Sequence, residues 1–317
     1  MTAPLALDAA LALLTLGVAA WTVATRQNFA AVIGFVAYGL LLALSWQRLG
    51  SVDVALTEAA LGSGVTGAVL IAAVSRPPRA AGRAAPPGPR VRLAAALLSA
   101  LVALALAALV LTPPEPAPSL AAAAAAHLPE LGLGNPVTAV LMAYRGIDTL
   151  LEKIVLLLAL LAAWSLAPDR FWTGASAAWD GAPPGGALTL LARFLPPIGV
   201  VAAVYLLWVS ADEPGGAFQG GAVLAAMWLL AMMAGLLRAP EAGSPLLRRL
   251  VAAGPAVFLA VGVLGFALPG GFLSYPTGFE KPVIVLVEVP VTLSIAVVLG
   301  LLVAGAPGRP PRKEGQS

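Results

Sequence analysis

The 317-residue sequence has no cysteine and a single histidine, His127. Without cysteine there are no disulfides and no thiolate-held zinc or iron–sulfur centres. With one histidine, a histidine metal cluster or a Ser-His-Asp triad would rest on that residue alone. Charge is scarce as well: 10% of residues are Asp, Glu, Lys or Arg, against 60% hydrophobic, and the mean hydropathy is +0.94. No soluble domain needs that much apolar surface, so the composition predicts an all-α, polytopic integral membrane protein. Walker and dinucleotide-binding motifs are also missing. The sequence therefore carries no motif for ATP hydrolysis, electron carriage or other independent catalysis, no metal site is expected, and no cofactor is expected. Its driving force would come from an ion gradient or from a partner. The net charge of +3 is too small to point to nucleic acid.

What is present is a series of apolar segments. They fall at about 4–24, 29–46, 52–74, 93–111, 136–166, 190–209, 217–237, 251–268 and 283–304, and predict nine membrane-spanning helices. The first lacks the basic flank of a signal peptide and is read as a retained helix, with Asp8 at the interface. Trp46, Gln47 and Arg48 close the second as interface anchors. The stretch 75–92 is rich in Pro, Gly and Arg. Pro and Gly deny it a stable helix, and its charge suits lipid headgroups. It has no interleaved aromatic side chain for stacking on nucleic acid. The fourth span is almost wholly Ala, Leu and Val and reads as a scaffold helix. A second Pro/Gly linker at 168–188 holds Trp172 and Trp179, and the tail from 306 is polar and expected to be disordered. With the N-terminus outside and the C-terminus cytoplasmic, fourteen Lys and Arg residues fall inside and two, Arg48 and Lys281, outside. That is a strong positive-inside signal.

The segment 135–152, NPVTAVLMAYRGIDTLLE, sets charge into the fifth span. Arg145, Asp148 and Glu152 are spaced i, i+3, i+7 and fall on one face of a continuous helix. Asp148 can pair with Arg145, which leaves Glu152 with the neighbouring Lys153. A carboxyl at that depth can be tuned to gain and lose a proton. The cluster is either an ion or proton site or a structural set of ion pairs holding two helices in register. In span three, Ser51 or Asp53 can cap the helix start. Glu58 lies too deep to cap; it either faces a polar interior or reaches up to headgroups. Gly62, Gly64 and Gly67 permit close helix approach. The stretch Pro214, Gly215, Gly216, Phe218, Gly220 and Gly221 reads as a tight turn, either an ion site made of broken-helix backbone or a close-packed re-entrant turn. Glu288 lies one to two turns into span nine, and Pro290 can free backbone groups beside it.

Three blocks resemble one family. The segment 27–64, with its D-V-A-L-T-E run at 53–58, is similar to the MbhD-like (DUF4040) domain. The segment 135–156 is similar to the MbhE-like domain, marked by N-x-V-T-x-V-L-x-x-[YF]-R-G-x-D-T-L-x-E. Residues 195–226, with 270–300, resemble the MnhB domain, whose signature is P-G-G-G-F-x-G-G. These are domains of Mrp-type multisubunit sodium/proton antiporters and of the related membrane-bound hydrogenases. The resemblance implies a fused chain: an MbhD-like three-helix domain at 1–75, a basic cytoplasmic linker at 76–92, an MbhE-like two-helix domain at 93–167, a linker at 168–188, an MnhB-like four-helix domain at 189–305 and a tail at 306–317. It further implies a subunit of a monovalent cation (sodium)/proton antiporter in a bacterial inner membrane, partnered by other membrane subunits, by sodium and protons and by the lipid bilayer. Glu58, Asp53, Asp148 and Glu152 match acidic positions of the family motifs, and Arg145, Lys153 and Glu288 join them as candidate ion/proton-pathway residues. An alternative is a membrane-arm coupling subunit of a redox-driven, hydrogenase-like or complex-I-like pump. A standalone carrier is weaker, since the two halves show no inverted repeat. The chain departs from the family pattern at Ala217 (the third glycine), Ala211 (an expected histidine), Val298 (an expected acid) and Leu151 (an expected small residue). These departures weigh against sodium binding by the C-terminal third and toward an architectural role.

Because the chain has no native cysteine, single introduced thiols report topology directly. Gln316→Cys is expected to react only with membrane-permeant maleimide in intact cells, and Ser274→Cys with impermeant reagent as well. The reverse pattern would invert the orientation.

Overall fold

The computed structural model describes residues 3–75, 88–114, 118–172, 174 and 185–308. They are predominantly helical, with no strand among them. The chain divides into two compact units, one formed by Met1–Ser75 with His127–Ser317 and the other by Arg76–Ala126. The boundary after Ala126 falls inside the two-helix domain expected at 93–167.

In the first unit, α1 (Ala3–Ala24) packs on α2 (Asn28–Arg48), and Asp8 pairs with Arg48 at 2.8 Å. Helix α3 (Val52–Val74) packs on α2. It widens into a π turn over Ala59–Val65. The short side chains there let the neighbouring groups close in. Glu58 folds back over Gly62, and Gly39 of α2 sits against Ser63.

The second unit holds α4 (Pro89–Leu111) and a short helix, Ala121–Ala126. The described residues of α4 are all exposed within this unit, as an apolar helix with a lipid-like environment around it would be. Its start corrects the reading of 75–92 as wholly non-helical. Pro89 occupies the first turn, where the missing N–H costs nothing, so Arg90 and Arg92 are helical. Arg76, Arg79 and Arg83 lie outside the described residues, as do Trp179 and the tail residues Arg309, Arg312 and Lys313.

Returning to the first unit, the expected fifth span is two helices. α5 covers 136–144 and turns π-helical over Ala139–Tyr144; α6 is Gly146–Ser165. Then follow α7 (Gly186–Val209), α8 (Ala217–Met233), α9 (Pro245–Leu264) and α10 (Glu280–Ala304). Among the described residues seven helices are long and apolar enough to cross a membrane. α6 is not one of them, since Asp148, Glu152 and Lys153 all fall within its length, and α8 is short at 17 residues. α10 runs unbroken through Pro290 and is the centre of the packing, with α8, α9 and α6 against it. Apolar burial drives little association inside lipid, so close van der Waals packing has to do it. The crossings accordingly use small residues: a Cβ on Gly221 would sit 2.7 Å from Ile295, and one on Gly300 2.6 Å from Trp228. Val298, where an acid was expected, is buried with Leu160, Trp164, Leu247 and Leu301 in an apolar cluster.

A charged cavity between broken helices

The Asn135–Glu152 segment is placed by its own polar residues. Asn135 caps α5: its Oδ1 accepts from the Val137 amide at 2.8 Å, and its Nδ2 donates to the Glu213 carbonyl at 3.0 Å. The amides of Gly134 and Asn135 donate to the Ala211 carbonyl, and Thr138 Oγ1 donates to the Ser210 carbonyl at 2.6 Å. The start of α5 is thus fixed to the end of α7. The chain leaves helical geometry at Arg145 (φ −132°, ψ 35°), which strands carbonyls on the α5 side. Thr149 Oγ1 donates to the Leu141 carbonyl at 2.6 Å and Tyr275 Oη to that of Met142 at 2.7 Å. Both of these bonds satisfy backbone that an unbroken helix would have satisfied itself.

The break takes Arg145 off the single face expected for the three charges, while Asp148 and Glu152 keep their i, i+4 spacing within α6. Arg145 and Asp148 form an ion pair at 2.6 Å, as expected, but at the exposed surface. Glu152 and Lys153 pair at 2.8 Å, and here the lysine is 6% exposed and the glutamate half exposed. Lys153 Nζ also stands 5.0 Å from the centre of the Phe218 ring, a cation–π contact that gives this motif residue a role.

Around this pair is a cavity of about 450 Å³, against about 30 Å³ for one water molecule. Its wall includes Asp53 and Thr57 of α3, Glu152 and Lys153 of α6, Gly215 to Gln219, and Glu288 of α10. Glu58, Arg145 and Asp148 are not among the lining residues. Neither Ser51 nor Asp53 caps α3 with its side chain. The buried Asp53 carboxylate instead accepts from the Gly215 amide at 3.0 Å, and Gln219 Nε2 donates to Thr57 Oγ1 at 3.0 Å. Gly215 and Gly216 make the turn; Gly220 and Gly221 lie inside α8, a correction to the six-residue turn expected. Gly216 has φ +140°, which a side chain would strain, and Gly215 abuts the Leu206 carbonyl. The turn's amides are engaged, by Asp53, by Leu206 and by Glu288, so the backbone is close-packed there. Glu288 is buried, and its Oε2 lies in hydrogen-bond contact with Ser210 Oγ at 2.6 Å. Outside the spans, Lys281 pairs with Asp212 at 2.6 Å and ties the start of α10 to the end of α7.

The residues that complete this site, and that the sequence pattern did not mark, are Ser210, Gln219, Thr149 and Tyr275. Thr149 stood inside the quoted motif. Ser210 and Tyr275 carried no local signal, being single polar residues beside loops.

This is a multi-pass helical membrane chain with a charged cavity at the meeting of its N-terminal and C-terminal helices. Residues 13–79 match the family MbhD, a subunit of MBH, and residues 187–307 the domain related to the MnhB subunit of Na+/H+ antiporter. A chain in the structure of the Mrp complex from Dietzia sp. DQ12-45-1b superposes with a TM-score of 0.73 at 26% identity, over 95% of this chain and 35% of that one. A chain of the membrane-bound sulfane sulfur reductase (MBS), an archaeal respiratory membrane complex, superposes with a TM-score of 0.51 at 23% identity, over 67% of this chain and 98% of that one. The second is a likeness of fold. No protein of curated function matches. The chain thus carries an MbhD portion and a portion related to the MnhB subunit of Na+/H+ antiporter, and spans 35% of the length of the Mrp complex chain it matches.

Tyr275 gives a pH test of the bridged break. Burial, and secondarily the negative charge Glu288 has when ionised, pushes its hydroxyl up from 10.0 to about 12. A raised folded value means that its stabilisation is complete below pH ~10 and is lost as pH rises toward ~12. Tyr275→Phe is expected to lower thermal stability in detergent by about 1 kcal/mol at neutral pH. It is also expected to flatten the decline in that alkaline window. An unchanged decline would place its source elsewhere.

Proposed function

We propose that this chain is a membrane subunit of a monovalent cation/proton antiporter, and that the cavity lies on the path of the exchanged ion or proton. The supporting observation is that Asp53, Glu152, Lys153 and Glu288 come from three helices to one cavity. Intramembrane ionisable groups are costly, and they cluster in protein or water-lined interiors where function requires them. Asp53 and Glu288 contribute from the MbhD and MnhB portions, Glu152 and Lys153 from the MbhE-like segment between them. Glu58, at the π turn of α3, would act on a neighbouring stretch of the path, and the Arg145–Asp148 pair would hold its mouth. The C-terminal third is then more than architecture, since Glu288 and the glycine turn form part of the wall.

On this reading the chain makes nine passes, N-terminus outside, in a bacterial cell membrane. α6 crosses despite its charges because Lys153 is buried and each of Asp148, Glu152 and Lys153 is held in an ion pair. The partners are other membrane subunits, with sodium and protons as cargo, and the chain is a transporter component. A redox-driven coupling role is the second reading, favoured by the MbhD match and the fold likeness to a respiratory membrane complex.

The test uses inverted vesicles bearing the assembled complex, with cation-induced proton movement read by a pH-sensitive dye. Glu152→Gln and Glu58→Gln are each expected to reduce exchange about ten-fold or more, a change of roughly 1.4 kcal/mol or above, while the exposed Arg193→Gln leaves it unchanged. Normal exchange in both glutamine variants with intact assembly would sink the proposal. Proton movement that requires an electron donor would transfer the chain to the redox reading.

A further inference from the structure

The hydroxyl of Ser210 stands between two acceptors. Its Oγ is 2.6 Å from Glu288 Oε2 and 2.9 Å from the Leu207 carbonyl oxygen. A serine hydroxyl has one proton to donate, and a carbonyl can only accept. Each contact has a proton of its own only if Glu288 supplies one: the acid O–H donates to Oγ while Oγ–H donates to Leu207. An ionised Glu288 would leave two acceptors competing for one proton. Ser210 is 0% exposed and Glu288 5%, so outside solvent does not resolve that conflict. The Ala217 amide also donates to the carboxyl, a contact that either protonation state accepts.

The charges around Glu288 agree. Lys153 of α6 faces it, but the ammonium is paired with Glu152 at 2.8 Å and set over Phe218. Among the described residues Glu288 has no ion pair. Tyr275 of the preceding loop is a neutral phenol at working pH, and Asp53 of α3 shares the cavity and is held by Gly215. α8 contains no titratable side chain, Arg193 and Tyr205 of α7 are exposed, and Arg248 and Arg249 are exposed in the first turn of α9. A buried carboxylate without a paired cation is strongly disfavoured.

We propose that Glu288, and not Glu152, is the proton-bearing acid of the cavity, and that Ser210 is the positioning residue that turns with its state. With the proton on Oε2 the hydroxyl points at Leu207. When the proton passes to water entering the cavity, the hydroxyl swings to donate to the new carboxylate and Leu207 loses its side-chain partner. Glu152 remains the standing counter-charge of Lys153. This rests on the ion-path reading for its physiological consequence, while the assignment of the proton is tested apart from transport.

The experiment is infrared difference spectroscopy of the full chain in lipid nanodiscs through a pH titration. At neutral pH a protonated-carboxyl carbonyl band is expected, absent in Glu288→Gln, retained in Glu152→Gln, and shifted to higher frequency in Ser210→Ala because the acid O–H has lost its acceptor. No such band in the native chain, a band that survives Glu288→Gln, or one that Ser210→Ala leaves in place would overturn the assignment. Should Glu288→Gln fail to fold, the Ser210→Ala shift decides. Vesicle exchange separates the two levels. The expected bands with normal exchange in Glu288→Gln would leave the proton assignment standing and remove the ion-path reading. Loss of exchange with no band would do the reverse.

Discussion

Moving a charge from water into an apolar interior costs several kcal/mol per ion even after relaxation, unless a partner is waiting. Lys153 is the chain's buried cation of that kind among the described residues, and much of the surrounding architecture serves to accommodate it. Glu152, one residue before it, neutralises it; Phe218 offers a ring face. For Phe218 to be there, the turn before α8 must be tight, which Gly215 and Gly216 permit. For the turn to hold, its amides need acceptors, and Asp53 from α3 supplies one. A single ammonium thus links the MbhD portion, the segment that follows α5 and the MnhB portion into one packing problem.

The same constraint applies to backbone. A helix interrupted inside a membrane protein exposes N–H and C=O groups that lipid cannot satisfy. The break at Arg145 is tolerated because side chains reach the stranded carbonyls, Thr149 that of Leu141 and Tyr275 that of Met142, and Thr138 does the same for Ser210 at the end of α7. The break takes Arg145 out of the helix at an exposed position, where it pairs with Asp148, while Glu152 and Lys153, one turn further along α6, line the cavity. The two ion pairs are chemically alike and only a turn apart, yet they sit in different surroundings because Lys153 lies on the buried side of α6 while Arg145 stands outside the helix at its exposed start.

The sequence made some of this legible and hid the rest for a physical reason. Pairs close in sequence could be read from helical spacing, so Arg145–Asp148 and Glu152–Lys153 were expected and are formed. The fifth apolar segment, 136–166, exceeds the roughly 20 residues that cross hydrocarbon, which allows a break without locating it. Contacts such as Ser210–Glu288 and Asp53–Gly215, 78 and 162 residues apart, had no trace in spacing, because spacing within a helix says nothing about which helix lies beside it. The glycines of α3 read as a helix-crossing stripe, and the π turn they accompany has no distinct pattern of its own. In the same way, the P-G-G-A-F-Q-G-G run reads as one unit, although its first glycines turn the chain and its last ones bring α8 against α10.

The shared cavity requires that α3 and the start of α8 face each other, and Thr57 and Gln219 stand 3.0 Å apart there. The absence of native cysteine makes that directly measurable. Thr57→Cys combined with Gln219→Cys can be bridged with a short thiol-reactive crosslinker in native membranes, and the chain then cut at the arginines of the 75–92 stretch. The expected result is that the two fragments stay joined under denaturing conditions only after crosslinking and only when both thiols are present. Fragments that separate in every case would contradict a cavity shared by the two portions of the chain.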